Sequence, residues 1–153
     1  MADVLHTNPS DWKYVSEGGV KIVFSYVGPP HPKFDGRVLQ LRKRARLQDH
    51  AQSDSGSDIP AIEYQSRCIE RLIPPQYLPH LETVALDRTW LEALVALHDS
   101  VRPKQRREKD VDLERKKGVL ATDLVSGNWL AVEIKVSFSF SFKSLLNLNP
   151  KKL

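Results

Sequence analysis

Two runs of aromatic and β-branched residues, held apart by a pair of glycines, constrain this chain more than any other feature. Trp12, Tyr14, Ile22, Phe24 and Tyr26 lie between Asp11 and Val27, and such side chains suit a pleated surface. Glu17-Gly18-Gly19 stands between the runs. Paired glycines let a backbone turn sharply or approach a ligand closely. The segment predicts two strands joined by a tight turn, and hence a sheet. Gly28 to Pro32, with three prolines, predicts the loop that leaves it.

The rest of the chain supplies partners for that hairpin. Gly36 to Arg46 predicts a third strand, apolar at Val38, Leu39 and Leu41 and very basic at Arg42, Lys43, Arg44 and Arg46. Gln48 to Asp58 is rich in Ser, Asp and Gln and predicts a flexible loop. Pro60 opens a helix with Asp58 as N-cap and an apolar stripe through Ile62, Ser66, Ile69 and Ile73, ended by Pro74-Pro75. Asp87 caps a second helix to about Ser100, whose apolar face is Leu91, Leu94, Val95 and Leu97 beside Trp90. Lys104 to Lys117 is charged throughout and predicts a loop or an exposed arm. Val119 to Val125 and Trp129 to Val136 predict two more strands around Ser126-Gly127-Asn128. The order β-β-β-α-α-β-β gives an α+β fold, an antiparallel sheet with helices packed on it.

Composition bounds the function. The 153 residues are 41% hydrophobic and 27% charged, enough for one domain with a true core. No apolar run approaches the ~18–20 residues of a membrane span. Met1 to His6 has no basic region followed by an apolar core, so no secretory signal is expected. Cys68 is alone and can form no internal disulfide, which fits a reducing intracellular setting, nucleus or cytoplasm. One Cys and five scattered His give no zinc spacing, and no metal ligand is expected in the chain. The formal charge of +4 points to polyanionic partners and leaves nucleotides, inositol phosphates, nucleic acid and acidic membranes open.

Four constellations could carry chemistry. The Gly18-Gly19 turn before a basic third strand is how kinase-like folds cover nucleotide phosphates, although most such hairpins are only structural. Glu133 and Lys135 share one face of a strand, where Lys can offset phosphate charge and the carboxylate can orient it; a surface ion pair is the plainer reading. Arg102-Pro103-Lys104-Gln105-Arg106-Arg107 offers guanidinium forks for phosphate, or merely a solvated charge run. Leu120-Ala121-Thr122-Asp123-Leu124 ends a strand where backbone groups could meet an adenine edge.

Taken in order, these segments resemble the N-terminal lobe of the inositol-pentakisphosphate 2-kinase family. The resemblance runs from Trp12 to Lys135. It rests on Asp11-Trp12-Lys13-Tyr14, Glu17-Gly18-Gly19-Val20-Lys21-Ile22-Val23, Gly36-Arg37-Val38-Leu39-Gln40-Leu41-Arg42-Lys43, Arg102-Pro103-Lys104-Gln105-Arg106, Val119 to Leu124 and Val132-Glu133-Ile134-Lys135. It implies a divergent, two-lobed, protein-kinase-like fold. It also implies transfer of the ATP γ-phosphate to the 2-hydroxyl of inositol 1,3,4,5,6-pentakisphosphate, giving inositol hexakisphosphate. ATP with Mg2+ and inositol pentakisphosphate are the implied ligands. Nucleic acid is not an expected partner, because the third strand lacks interleaved aromatics for base stacking.

By the resemblance, Gly18, Gly19, Val20 and Lys21 cover the ATP phosphates, and Gln40 stands where the family has a nucleotide-contacting Arg. Thr122, Asp123 and Leu124 form the adenine-side hinge. Glu133 and Lys135 open a Glu-x-Lys-Pro-Lys motif, with Lys135 reaching the phosphates as the catalytic contact. Arg106 matches an Arg that grips an inositol phosphate. Lys21 replaces the usual Asn and Gln40 the usual Arg; Arg42 and Lys21 are the cations placed to compensate.

After Lys135 the family continues Pro-Lys, whereas this chain has Val136-Ser137 and then Phe-Ser alternation through Phe142. An in-frame splice donor encodes Val-Ser, and a pyrimidine-rich repeat encodes Phe-Ser. Residues 136–153 are therefore expected to be translated intron, with a genuine divergent tail as the alternative. The implied lobe is 1–135, with the catalytic-base Asp, the magnesium-binding Asp and the second Lys outside the chain. The expectation is a truncated kinase without activity of its own. The competing reading is a non-catalytic basic module that binds inositol phosphates or nucleic acid.

Overall fold

The computed structural model describes residues 2–44, 59–107 and 110–126. The expected strand Trp129 to Val136 with Gly127-Asn128 of its turn, the loop Gln48 to Asp58 with the Asp58 cap, Arg46 and everything from Gly127 on lie outside the described residues.

The hairpin forms as its residues dictate. Strand β2 (Trp12–Glu17) pairs antiparallel with β3 (Lys21–Tyr26), and β3 with β4 (Arg37–Arg42). Strand β4 pairs with β6 (Lys117–Thr122), and β6 with β5 (Leu81–Ala85). A two-residue edge strand, β1 (Ala2–Asp3), lies parallel to β5 and completes a sheet of order β1-β5-β6-β4-β3-β2. The fold is thus α+β, an essentially antiparallel sheet with few helices.

One face of the sheet carries the core. Cross-strand registers place Ile22 opposite Leu41, Phe24 opposite Leu39, and Leu39 opposite Leu120, all buried. Helix α2 (Arg88–His98) covers this face with Trp90, Leu91 and Leu94. Its start is fixed as expected: the Asp87 carboxylate accepts from the Thr89 and Trp90 amides, two of the donors that a helix N-terminus leaves unpaired. Trp12 is the hub of the aromatic packing, edge-on to Tyr26 at 5.2 Å, Phe34 at 5.7 Å and Trp90 at 6.5 Å. Both indoles find acceptors on Thr7, Trp12 Nε1 donating to its Oγ1 at 2.8 Å and Trp90 Nε1 to its carbonyl at 2.9 Å.

Three expectations need correction. Strand β5 interrupts the α-α order, and its five residues lack a clean alternation of their own. The first helix keeps α geometry only through Tyr64 (α1, Ile59–Tyr64) and continues as a wider π turn over Gln65–Ile69. Its inward side is Ile62, Gln65 and Ile69, while Ser66 and Ile73 are exposed, because the wider turn advances fewer degrees per residue. Strand β6 stops at Thr122 rather than Val125. Of the two forms expected for Lys104 to Lys117 the loop holds and not the exposed arm, since Val111 is buried and bridges to Lys43.

Candidate functional site

The glycine turn is open. Gly18 N–H donates to the Lys21 carbonyl at 2.8 Å, closing a two-residue loop of Gly19 and Val20. Neither glycine has positive φ, and a Cβ built on either meets nothing within 4 Å. What these glycines provide is therefore clearance above the backbone, not a left-handed conformation. The positive φ belongs to Gly36 (+67°), which turns the chain into β4.

Beside the turn, the sheet face opposite the core gathers two cations. Lys21 and Arg42 are direct cross-strand partners, and Lys21 Nζ donates to Gln40 Oε1 at 3.1 Å. Lys21 and Gln40, both expected from the resemblance to differ from the usual residues, thus touch each other. Like charges opposite one another on a sheet repel. Among the described residues neither Lys21 nor Arg42 has a carboxylate partner. The same face continues through Val23, Val38, Val119 and Ala121 to Ser25, about 13 Å from Lys21 at the usual rise per residue.

At that far end Asp123 is already committed. Its carboxylate accepts from Ser25 Oγ at 2.6 Å and from the amides of Val125 (2.9 Å) and Ser126 (2.8 Å). Burial alone would raise its pKa, but these hydrogen bonds more than offset that and hold it below the ordinary value. The Asp123 side chain is thus a cap on the strand end. Thr122 Oγ1 accepts from the His80 amide, and Leu124 is exposed. Of the expected hinge, what faces outward is Leu124 rather than the Asp123 carboxylate.

The basic run 102–107 divides in two. Arg102 is buried and its guanidinium forks onto Glu17, Nε to Oε1 and Nη2 to Oε2 at 3.2 Å each, with Nη1 reaching Asp110 at 3.1 Å. Lys43 also pairs with Glu17 Oε2. Side-chain exposure is 1% for Glu17, 2% for Lys43 and 1% for Arg102, which makes this a buried ionic cluster. Burial pushes the Glu17 pKa up, and the bonds from Arg102 and Lys43 outweigh that and depress it. Arg106, by contrast, is exposed on a short helical turn (Lys104–Arg106). Sequence reasoning missed Glu17, Lys43 and Arg102 as a unit; Val111 and Leu113 inside the charged run were the available signal that the run folds back. Glu133 and Lys135 lie outside the described residues. No group of three or more His, Cys, Asp or Glu among the described residues is placed to hold a metal ion, and no helix there is long and apolar enough to cross a membrane.

An open glycine turn above paired cations on a sheet has the chemistry to receive an anion. The sequence model of the inositol-pentakisphosphate 2-kinase family matches residues 14–147, past Lys135, and the chain belongs to that family. Two relatives named inositol-pentakisphosphate 2-kinase, from two strains of Cryptococcus neoformans var. neoformans serotype D, are each 34% identical over 142 residues. Those alignments cover 88% of this chain and 34% of each relative, so the chain spans about a third of the length of the curated relatives it matches.

Proposed function

We propose that this chain is the nucleotide-side lobe of an inositol phosphate kinase with a divergent protein-kinase-like fold. The reaction of the whole enzyme is transfer of the ATP γ-phosphate to the 2-hydroxyl of inositol 1,3,4,5,6-pentakisphosphate. The observation that carries the reading is the cation pair Lys21 and Arg42, without a carboxylate partner among the described residues, beside the open Gly18-Gly19 turn. Two like charges held face to face with no carboxylate between them are relieved by an anion, and the open turn lets a phosphate reach backbone amides.

Phosphoryl transfer asks the protein mainly for positioning and charge stabilisation. In this reading Gly18, Gly19 and Val20 lie over the β- and γ-phosphates, while Lys21 and Arg42 take the charge that the lost Arg at Gln40 would have met. The apolar run Val23, Val38, Val119 and Ala121 leads from the phosphates toward Thr122 and Leu124, on the adenine side. In the same reading Glu133 and Lys135 contact the phosphates, and Arg106 grips an inositol phosphate. Mg2+, when bound with ATP, would neutralise phosphate charge; the described residues do not themselves fit it. The γ-phosphorus–oxygen bond to ADP breaks as a new one forms to the 2-hydroxyl, whose proton passes to a carboxylate outside residues 1–153. Residues 1–153 alone bind nucleotide without turnover, and residues 136–153 are translated intron.

Calorimetric titration of the chain with ATP tests this. Lys21→Ala combined with Arg42→Ala should weaken binding at least about tenfold, and Gln40→Arg should strengthen it. Unchanged affinity in the double variant rejects the phosphate site. Inositol hexakisphosphate formation by 1–153 rejects the inactivity, and a spliced transcript encoding Val136-Ser137 after Lys135 rejects the intron.

A further inference from the structure

Strand β2 contains one residue too many for its partner. Tyr14 lies opposite Phe24, but Ser16 lies opposite Val23, so the pairing shifts by one between them. Side chains alternate faces along a strand, and one extra residue exchanges the faces beyond it. Without the shift, Glu17 would stand opposite Lys21 on the cation face. With it, Glu17 stands opposite Ile22, on the core side, in line with Leu41. The bulge therefore takes the nearest carboxylate away from the Lys21–Arg42 pair and buries it.

The buried Glu17 meets two cations that both reach one further atom. Lys43 Nζ and Arg102 Nη2 each approach the Arg106 carbonyl oxygen at 3.4 Å. Lys43 also donates its backbone N–H to the Val20 carbonyl at 2.8 Å, within the glycine turn. Adjacent residues of one strand end thus face opposite ways, Arg42 toward the cation face and Lys43 toward Glu17. A single carboxylate ties together the glycine turn, the end of β4 and the segment that carries Arg106.

We propose that Glu17, with Lys43 and Arg102, forms a positioning joint that holds the exposed Arg106 in register with the glycine turn, so that an inositol-phosphate group and the nucleotide phosphates are presented to each other. The proposal rests on the reading above that Arg106 grips an inositol phosphate. Stability alone does not call for such a cluster. Buried ion pairs cost much desolvation, and packed apolar side chains often serve stability as well or better. What the cluster adds is a fixed direction: the Arg102 fork is planar and bidentate on Glu17, so the backbone at 102–106 has one seating and not several. Misplacement by about 1 Å of a group that orients a reactant can cost about a hundredfold.

The test is titration of the 153-residue chain and its variants with inositol 1,3,4,5,6-pentakisphosphate and, separately, with ATP, at a temperature where thermal unfolding shows each variant folded. Arg106→Ala is the reference and should weaken inositol pentakisphosphate binding. Glu17→Gln should weaken both ligands, because it releases the turn and the 102–106 segment together. Arg102→Lys keeps a cation on Glu17 but loses the fork. It should recover most of the thermal midpoint that Arg102→Ala loses, yet weaken inositol pentakisphosphate binding about tenfold more than ATP binding. Should Glu17→Gln not fold, Arg102→Lys alone decides. Lowered midpoints in these variants with both affinities unchanged overturn the joint and leave Arg106 as the grip. If Arg106→Ala binds inositol pentakisphosphate as the parent does, the grip itself fails, and the joint with it.

Discussion

Strand β2 is anchored at its two ends by opposite means. At the first residue, Trp12 is fully buried among Tyr26, Phe34 and Trp90, and its one polar atom is matched by Thr7. At the last, Glu17 is equally buried but surrounded by Lys43 and Arg102. The Trp12 end is a core in the ordinary sense, where burial of apolar surface stabilises without demanding one geometry. The Glu17 end gains little net stability, because desolvation offsets attraction, but it fixes direction. The difference explains why the open turn and the cation pair lie at the Glu17 end: an anion site needs groups held in place, and the ionic cluster supplies that without extending the apolar core.

The largest expected effect is at the apolar end. Trp12→Ala should cost about 3–5 kcal/mol in chemical denaturation, since it empties the hub of the aromatic packing and leaves Thr7 Oγ1 without its donor. A loss under about 1 kcal/mol would mean that Trp12 is not the hub. Lys43→Met should cost about 3 kcal/mol, the low end for breaking a buried pair, because Arg102 still satisfies Glu17. If Lys43→Met is neutral, the Glu17 end is not held by charge and the contrast disappears.

Glycines sharpen the comparison at lower cost. At Gly28, a Cβ would sit 2.7 Å from both Asp11 Cβ and Tyr26 Oη, so Gly28→Ala forces the loop off the hairpin, at about 1–3 kcal/mol. Gly18→Ala and Gly19→Ala meet nothing within 4 Å and should change stability by less than about 0.5 kcal/mol. Their effect should appear in ATP affinity instead. The same thermal melts and titrations, run on all three, separate a glycine kept for packing from glycines kept for access.

How much of this was legible in the sequence follows the range of each signal. The hairpin, β4 and the Asp87 cap announce themselves within a few residues, through Gly18-Gly19, β-branched runs and an N-cap side chain. Strand β5 does not. Leu81–Ala85 becomes a strand because β6, far along the chain, offers it a partner, and Thr83 lies opposite Val119 only in the folded sheet. The site shows the same limit. Gly18, Gly19 and Lys21 are local features, whereas Arg102 reads as one more cation in a charged run. Its burial depends on Glu17, 85 residues away, and on a one-residue bulge that sequence periodicity does not reveal.

The smallest effect is a pH profile in which the two ends of β2 fail separately. His98 stacks on Phe24, and its Nε2 meets the Trp12 carbonyl, which can only accept, so Nε2 carries the proton of the neutral ring. Burial lowers the His98 pKa below its ordinary 6.5. The unfolded chain therefore binds this proton more readily than the folded one. Stability is full above pH 6.5 and falls as pH drops from there toward the folded value. Glu17 and Asp123 are also depressed in the folded state, from ordinary values of 4.5 and 3.8. Their contribution is intact above those values and is lost as pH falls through the lower, folded ones. Denaturation midpoints should thus decline in two steps, a shallow one just below pH 6.5 and a steeper one below pH 4.5. His98→Gln keeps a donor for the Trp12 carbonyl and should flatten only the upper step, while Glu17→Gln should make the lower one shallower and leave the Asp123 share. A parent profile that is level between pH 6.5 and 4.5 would show that His98 charges freely in the folded chain, and that the Trp12 end owes nothing to a neutral imidazole.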